Sequence, residues 1–585
     1  MREELVLVAK GELPADLLVK NGIVVNVDTG ETYPGGVAVK GDRIAAVGDA
    51  DYTMGPETQI VDAGGRYLCP GFIETHMHLD GSQLSVTEFA RAVVARGTTA
   101  ISTDFYEYGI VAGAKAIRFA LDEMKQTPLK VLFTLPLHHY LSHGPFGSTH
   151  TINADDMYEM LDWPECVGLS EWNVNKWEIP DSLIKPITEA ARDKGKLIAG
   201  HFGIMPPQLV HATAALGIYS EHEASGPQEA LEKARSGVHI QIREGSAGRD
   251  LTNVIKAITE LKADPRHFSF STDEQEADSL VHEGHIDQKI RMAISCGVPP
   301  VTAVQMASLN AAEYFGLSGD LGSIAPGKIA DLVLVNDLTE FKVTTVIANG
   351  KVVGQDGRYV GDLRPPKYPD YFFNTIKLDH ATTQDDFVIA APKKSGRAKT
   401  RVIGVVRGSL VTEHRQLSLP VEGGRLVADV DQDIIKVAVL DRHEASGRMG
   451  KGFVQGLGIK SGAVGSTFNP ELMNVVVAGT NDRDMSLVTN RIAELEGGYV
   501  VAHNGQIAGE LPLPLLGLFA NQPVEQVVDQ LGIINRALRD LLGSDFPGLL
   551  TALAFICLPV AIPSLKICEQ GLVDVTTMEV VDISV

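Results

Sequence analysis

Between residues 66 and 320 the chain alternates short β-type runs with helical patterns, the rhythm of a parallel sheet wrapped by helices. Eight runs stand out: FIETHMHL, TTAISTDF, KVLFTLPL, CVGLSEWN, LIAGHFG, GIYSEHEA, VHIQIREGS and FSFSTDE. Eight strands close a (β/α)8 barrel, and the spacing leaves room for a helix between most pairs. Segments such as VTEFARAVVARG and PQEALEKARSG supply helices and end at a glycine, as a C-cap does. The ends of the runs constrain the fold further. Seven of the eight carry ionisable residues at or near the C-terminal end: His76 and His78, Asp104, Glu171, His201, His222, Arg243 with Glu244, and Asp273. Buried apolar strands end so consistently in ionisable groups only where those groups meet, and in this barrel they meet at the C-terminal mouth.

Side chains alternate along a strand, so His76 and His78 point the same way. Two neutral imidazoles converging on one spot make half of a divalent-metal site. With Glu171, His201, His222 and Asp273 they give six candidate ligands, enough for one ion or two. In a binuclear arrangement Glu171, midway round the barrel, bridges. His76, His78 and Asp273 then hold one ion, and His201 with His222 the other. Paired ions lower the pKa of a shared water, so hydroxide is available near neutral pH. Such mixed nitrogen and oxygen ligands suit Zn, Mn or Fe(II) alike. Glu223, beside His222, is placed to orient that imidazole. Arg243 and Ser246 are candidates for holding the edge or carbonyl of a base. The loop after the third run carries His138, His139, His143 and His150 to the same mouth, where loops shape specificity. His285 in EGHID reads as a brace for a loop.

Hairpin-type sequence flanks this region on both sides, at 17–63 and 329–361. The expected organisation is a small discontinuous β-sandwich domain (1–65 plus 325–395), the barrel inserted in it (66–324), and a C-terminal α+β domain (396–585). The net charge of -23, with no basic run, argues against nucleic acid or an anionic membrane as partner. Five scattered cysteines without a C-x-x-C fit a reducing compartment. The N-terminus has no apolar signal core. The apolar run 549–563 is too short to span a bilayer and carries two prolines, so it reads as a buried core element. A cytoplasmic protein is expected.

PGFIETHMH, GHFG, SEHEAS, REGSA, STDE, EGHID and MASLNAAEYFGL…GSIAPGKIADLVL together resemble the amidohydrolase superfamily, and within it the adenine deaminase branch. VAGTNDRDMSL and GELPLPLLGL resemble that branch's C-terminal part, so the likeness covers nearly the whole chain. GLSEWN fits a branch whose bridging ligand is a glutamate on the fourth strand. The resemblance implies a binuclear divalent-metal centre on the six residues above and a small-molecule purine substrate. It also implies a homo-oligomer, as is common in the superfamily. It assigns proton shuttling to Asp273, which carries a proton from the activated water to the leaving amine. Glu107, with Asp104, is assigned recognition of the base and proton donation to a ring nitrogen. The implied reaction is hydrolytic deamination of adenine, or of a close 6-amino or N6-substituted purine, to hypoxanthine and ammonia. Two departures bear on the substrate. Tyr106 stands where the branch has a histidine, which makes it a substrate-binding candidate, and Pro470-Glu471-Leu472-Met473 replaces a histidine-containing H-D-S-H segment. The rival readings are a cyclic amide or imide hydrolase on the same barrel, and a non-catalytic scaffold, which would be expected to lose ligands that are all present here.

Overall fold

The computed structural model describes residues 2–137, 152–172, 184–203, 205–246, 248–407, 411–559 and 564–585. The histidines of the third loop, His138, His139, His143 and His150, lie outside the described residues. All eight runs picked out above are strands: β1 (Phe72–Met77), β2 (Thr98–Thr103), β3 (Lys130–Leu135), β4 (Cys166–Trp172), β5 (Leu197–Gly200), β6 (Ser220–Glu221), β7 (His239–Arg243) and β8 (Phe268–Ser271). β1 to β5 form one parallel sheet in sequential order, and β6 to β8 a second. A parallel bridge between Met77 and Asp273 joins β1 to the end of β8, and β5 packs beside β6, so the two sheets curl into one ring. The strands are buried almost throughout, and helices such as Val86–Val94, Ala114–Met124 and Ile286–Ser295 cover their outer faces with apolar stripes.

The chain enters and leaves the barrel through a nine-stranded sheet. Tyr67–Pro70 runs antiparallel to Leu332–Val335, so the exit and return points are neighbours in one ladder. On this sheet the hairpins Leu17–Asn26/Glu31–Lys40 and Val343–Ala348/Lys351–Gln355 lie on opposite sides of that pair. The short strand Ile389–Ala390 falls in the stretch assigned by sequence to the β-sandwich domain. It pairs instead with Arg425–Leu426 in a separate ten-stranded sheet. Two residues are too few for periodicity to reveal their partner, which tertiary pairing decides.

The ten-stranded sheet carries the helices Asp482–Glu494 and Val524–Asp540. It docks on the barrel at segments that follow β1, β2 and β8. Ala520 N donates to Gln83 O (2.8 Å), Val524 N to Glu88 Oε2 (3.2 Å) and Thr551 Oγ1 to Glu276 Oε1 (2.7 Å). Phe519 stacks on Tyr108 with ring centres 4.7 Å apart. Leu472 and Met473, of the departing segment, are fully buried in the same apolar core as Phe105 and Phe519. The run at 549–563 begins as a buried helix, Leu549–Phe555. No helix among the described residues is long and apolar enough to cross a membrane.

Candidate metal centre

The mouth of the barrel gathers ligand atoms from both arcs. One group consists of His76, His78, Glu171 and Asp273; a second, of Glu171, His201 and His222, shares the glutamate; a third, of His222, Glu223 and Asp273, links the other two. Within each group the candidate ligand atoms lie within 4.8 Å of one another. Glu171 Oε1 is 2.8 Å from His78 Nε2 and 3.0 Å from His76 Nε2, and Oε2 is 3.6 Å from His201 Nδ1. His201 Nδ1 and His222 Nε2 stand 3.2 Å apart, and the rings of His76 and His222 stack at 3.9 Å. Asp273 Oδ1 lies 3.6 and 3.7 Å from the Nε2 atoms of His76 and His78.

His78 Nε2 is within hydrogen-bond distance of Glu171 Oε1, but around His76 the packing has the geometry of a donor set rather than of a hydrogen-bond network. His76 Nε2 is buried and makes no well-aligned hydrogen bond, although Glu171 Oε1 is 3.0 Å away. Two donors each about 2.0–2.2 Å from a common ion stand about 3 Å apart without pointing at one another. The backbone is strained at the same place. Glu171 and Asp273 sit at φ +52° and +60°, left-handed conformations that residues with a Cβ seldom adopt and that cost about 1–3 kcal/mol each. Such strain clusters where side chains are aimed at a site. The residues present therefore fit one or two divalent ions.

The electrostatics follow from the crowding. Burial alone would raise the Glu171 carboxyl, but His78 and His76 outweigh it and hold the group well below the usual carboxylate range. Burial works against a charged His76, yet Asp273 and Glu171 push it up to about 9. Burial and the neighbouring His76 charge drive His222 well below its ordinary value. A metal-binding imidazole must be unprotonated. A proton on His76 competes with an ion at every pH below about 9, so apparent affinity is expected to rise from pH 6.5 and level off above about 9. Isothermal titration with Mn(II) in buffers of different ionisation enthalpy measures the accompanying proton release. Affinity independent of pH, with no proton released, would contradict this site.

The structure redistributes the other candidates. Asp104 Oδ1 lies 3.2 Å from His78 Nδ1, and its Oδ2 accepts from Ser170 Oγ (2.9 Å). It stands behind the histidine and fixes which ring nitrogen faces the cluster. Tyr106 directs its hydroxyl to Asp80 Oδ2 (3.1 Å), with its ring edge-on to His78. Arg243, expected to hold a base, is consumed by three carboxylates. It pairs with Glu223, with Asp250 at 3.0 Å and with Asp273 Oδ2 at 3.1 Å. Glu223 lies 3.6 Å from His222 Nε2, but its close partner is this arginine. Ser246 is likewise occupied: its hydroxyl accepts from Glu276 N (3.0 Å) and lies 3.2 Å from Ser279 Oγ. Glu107 is fully buried, and neither carboxyl oxygen has a hydrogen-bond partner among the described residues. Burial first, then the charges of Asp80 and Asp104, raise it well above the usual range.

Three residues beside this cluster escaped the sequence reading. Asp80 is fully buried and pushed up to about 6, chiefly by burial. Glu274 packs on Gly81, where an added Cβ would stand 2.9 Å from its own. Asp250 holds Arg243. Asp80 lies past the end of β1, in the 3-10 turn Asp80–Ser82, and Asp250 lies before a short helix, so strand alternation flags neither.

Residues 67–353 match the amidohydrolase family and residues 409–579 the adenine deaminase C-terminal domain. The chain is 38% identical to an adenine deaminase of Moorella thermoacetica, over 99% of this chain and 97% of that protein. It is 39% identical to an adenine deaminase of Rubrobacter xylanophilus (98% and 96%) and 38% identical to adenine deaminase 3 of Rhizobium meliloti (99% and 98%).

Proposed function

Because the chain belongs to the adenine deaminase family of the amidohydrolases, we propose that it hydrolyses the C6–N6 bond of adenine, releasing ammonia and hypoxanthine. The observation that carries the reading is the convergence of His76, His78, Glu171, His201, His222 and Asp273 on one buried spot at the barrel mouth. His76, His78 and Asp273 would hold one divalent ion, His201 and His222 a second, and Glu171 would touch both. An ion of Mn, Fe(II) or Zn held there supplies the Lewis acidity that lets water ionise near neutral pH.

The protein groups divide the proton transfers between them. Asp273 is fixed by Arg243 through Oδ2 and turns Oδ1 to the histidines, and its carboxylate would take the proton of the attacking water and pass it to the departing amine. Glu107, raised by its burial, keeps a proton near neutrality and donates it to a ring nitrogen, which makes C6 more electrophilic. Asp104 serves by holding the tautomer of His78. Tyr106 and Asp80 form a buried pair beside these groups and contribute to the wall facing the base.

Ammonia release by protein loaded anaerobically with Mn(II), Fe(II) or Zn(II) tests the reading on adenine, N6-methyladenine and a cyclic imide. Turnover of adenine with no hydrolysis of the imide is the expected result. Hydrolysis of the imide with both purines untouched would place the chain with the ring-opening amidohydrolases.

A further inference from the structure

The barrel's seam between β1 and β8 has a thin backbone ladder. Among the described residues it consists of one bridged pair, with His78 N donating to Asp273 O (2.7 Å) and Asp273 N to His76 O (3.0 Å). One step below, the N–H of His76 and the N–H of Thr272 both turn to a side chain. Glu74 Oε1 accepts from His76 N at 2.9 Å and from Thr272 N at 3.2 Å. A single carboxyl oxygen thus spans the seam immediately beside the two residues that bring His76 and Asp273 to the mouth.

Glu74 is itself fully buried and held from outside the seam. Its Oε2 faces His285 Nε2 at 3.4 Å, and His285 Nδ1 lies 2.8 Å from Thr98 Oγ1 at the start of β2. Lys289, also fully buried, donates to Gln275 Oε1 (3.0 Å) and Gln288 Oε1 (2.9 Å) nearby. A buried carboxylate costs several kcal/mol unless its partners repay it. Here the partners include two peptide N–H groups that the interrupted ladder would otherwise leave unpaired.

We propose that Glu74 is a positioning residue for the metal centre: its Oε1 replaces the missing ladder bonds between β1 and β8 and thereby sets the spacing of His76 and Asp273. The proposal rests on the reading of those two residues as ligands. It makes the oxygen, not the charge, the working part, because both seam bonds end on one acceptor atom. Three variants separate the two. Glu74→Gln keeps a carbonyl oxygen at the same reach and loses the charge. Glu74→Asp keeps the charge and draws the oxygen back by a methylene. Glu74→Met keeps the bulk and offers no comparable acceptor.

The test is the rate at which Mn(II)-loaded protein yields its metal to a chelating dye, together with kcat and KM for adenine. Metal loss about 10–100-fold faster in the Asp and Met proteins, with the Gln protein within about threefold of the unaltered chain, is the expected order. The loss of rate should fall on kcat rather than KM, since the displaced groups are on the metal side of the site. Retention by Asp and loss by Gln would overturn the proposal in favour of simple charge balance with Lys289. Equal retention by all three would overturn it outright. If the Asp and Met proteins do not fold, the Gln protein alone decides: slow metal loss supports the oxygen and fast loss overturns it. A His76→Asn control that holds metal as firmly as the unaltered chain would show that the ligand reading, not the seam, had failed.

Discussion

Replacing Asp273 by Asn is expected to lower the turnover of adenine by about 10²–10⁴-fold while leaving the protein folded. Burial opposes the ionisation of Asp273, but His76 and Arg243 more than offset it, so the group is a carboxylate throughout the working range. It is therefore in the ionised form that a proton acceptor needs, on the side of the mouth where the histidines lie. An asparagine has the same shape and can still accept from Arg243 Nη1, but it cannot carry a proton between water and amine. The fold has little reason to respond. The bonds to His76 O and from His78 N involve only the Asp273 backbone, and asparagine tolerates φ +60° as readily as aspartate does. Steady-state ammonia release checks the rate and thermal unfolding checks the fold. A near-normal kcat would remove Asp273 from the proton path.

Glu171→Gln is expected to abolish stable metal loading as well as turnover. Glu171 is the residue that the His76–His78–Asp273 group shares with the His201–His222 group, so its loss weakens both sets together. Losing a supporting partner of a ligand costs about 10–100-fold in metal affinity, and losing a shared anionic ligand should cost more. The metal-free fold should survive. His76 is raised to about 9 with Glu171 as one of its two raising neighbours, so without that charge the imidazole releases its proton more readily. That avoids a buried, unpaired cation, the usual cause of collapse when one member of a buried pair is removed. Metal analysis after gel filtration reads the effect directly. A Gln protein that keeps its full complement of metal would show that Glu171 does not bridge.

The barrel was legible in the sequence because its rule is simple: short apolar runs, each ending in a group that has to meet the others. That logic picks out His76, His78, Glu171, His201, His222 and Asp273, which all lie at or just beyond strand ends; Glu223, the remaining member of the candidate ligand groups, reads in the sequence only as a partner of His222. What it could not provide is which ionisable groups neutralise one another. Arg243 ends β7 as a base-binding donor would, yet Glu223 and Asp250 arrive from other segments and, with Asp273, use its guanidinium. Asp104 follows β2 where a group facing the base would stand, yet it stops behind His78 because Ser170 and the His78 ring are within its reach. Ser246 is bound up in holding the segment after Asp273. These are facts of tertiary distance, and one-dimensional spacing does not contain them. Glu74 is the opposite case: it lies in the first of the eight runs, but the role proposed for it depends on a gap in the ladder that only the assembled barrel reveals.

The most direct test of the whole is to strip the protein of metal and titrate it anaerobically with Mn(II) while recording ammonia release from adenine. The expected course is no release without metal, a rise with each addition, and a plateau near about two equivalents if the proposed binuclear centre holds. Full deamination by the stripped protein, or none at any loading, would contradict the assignment of this barrel mouth as a metal-dependent adenine-deaminating site.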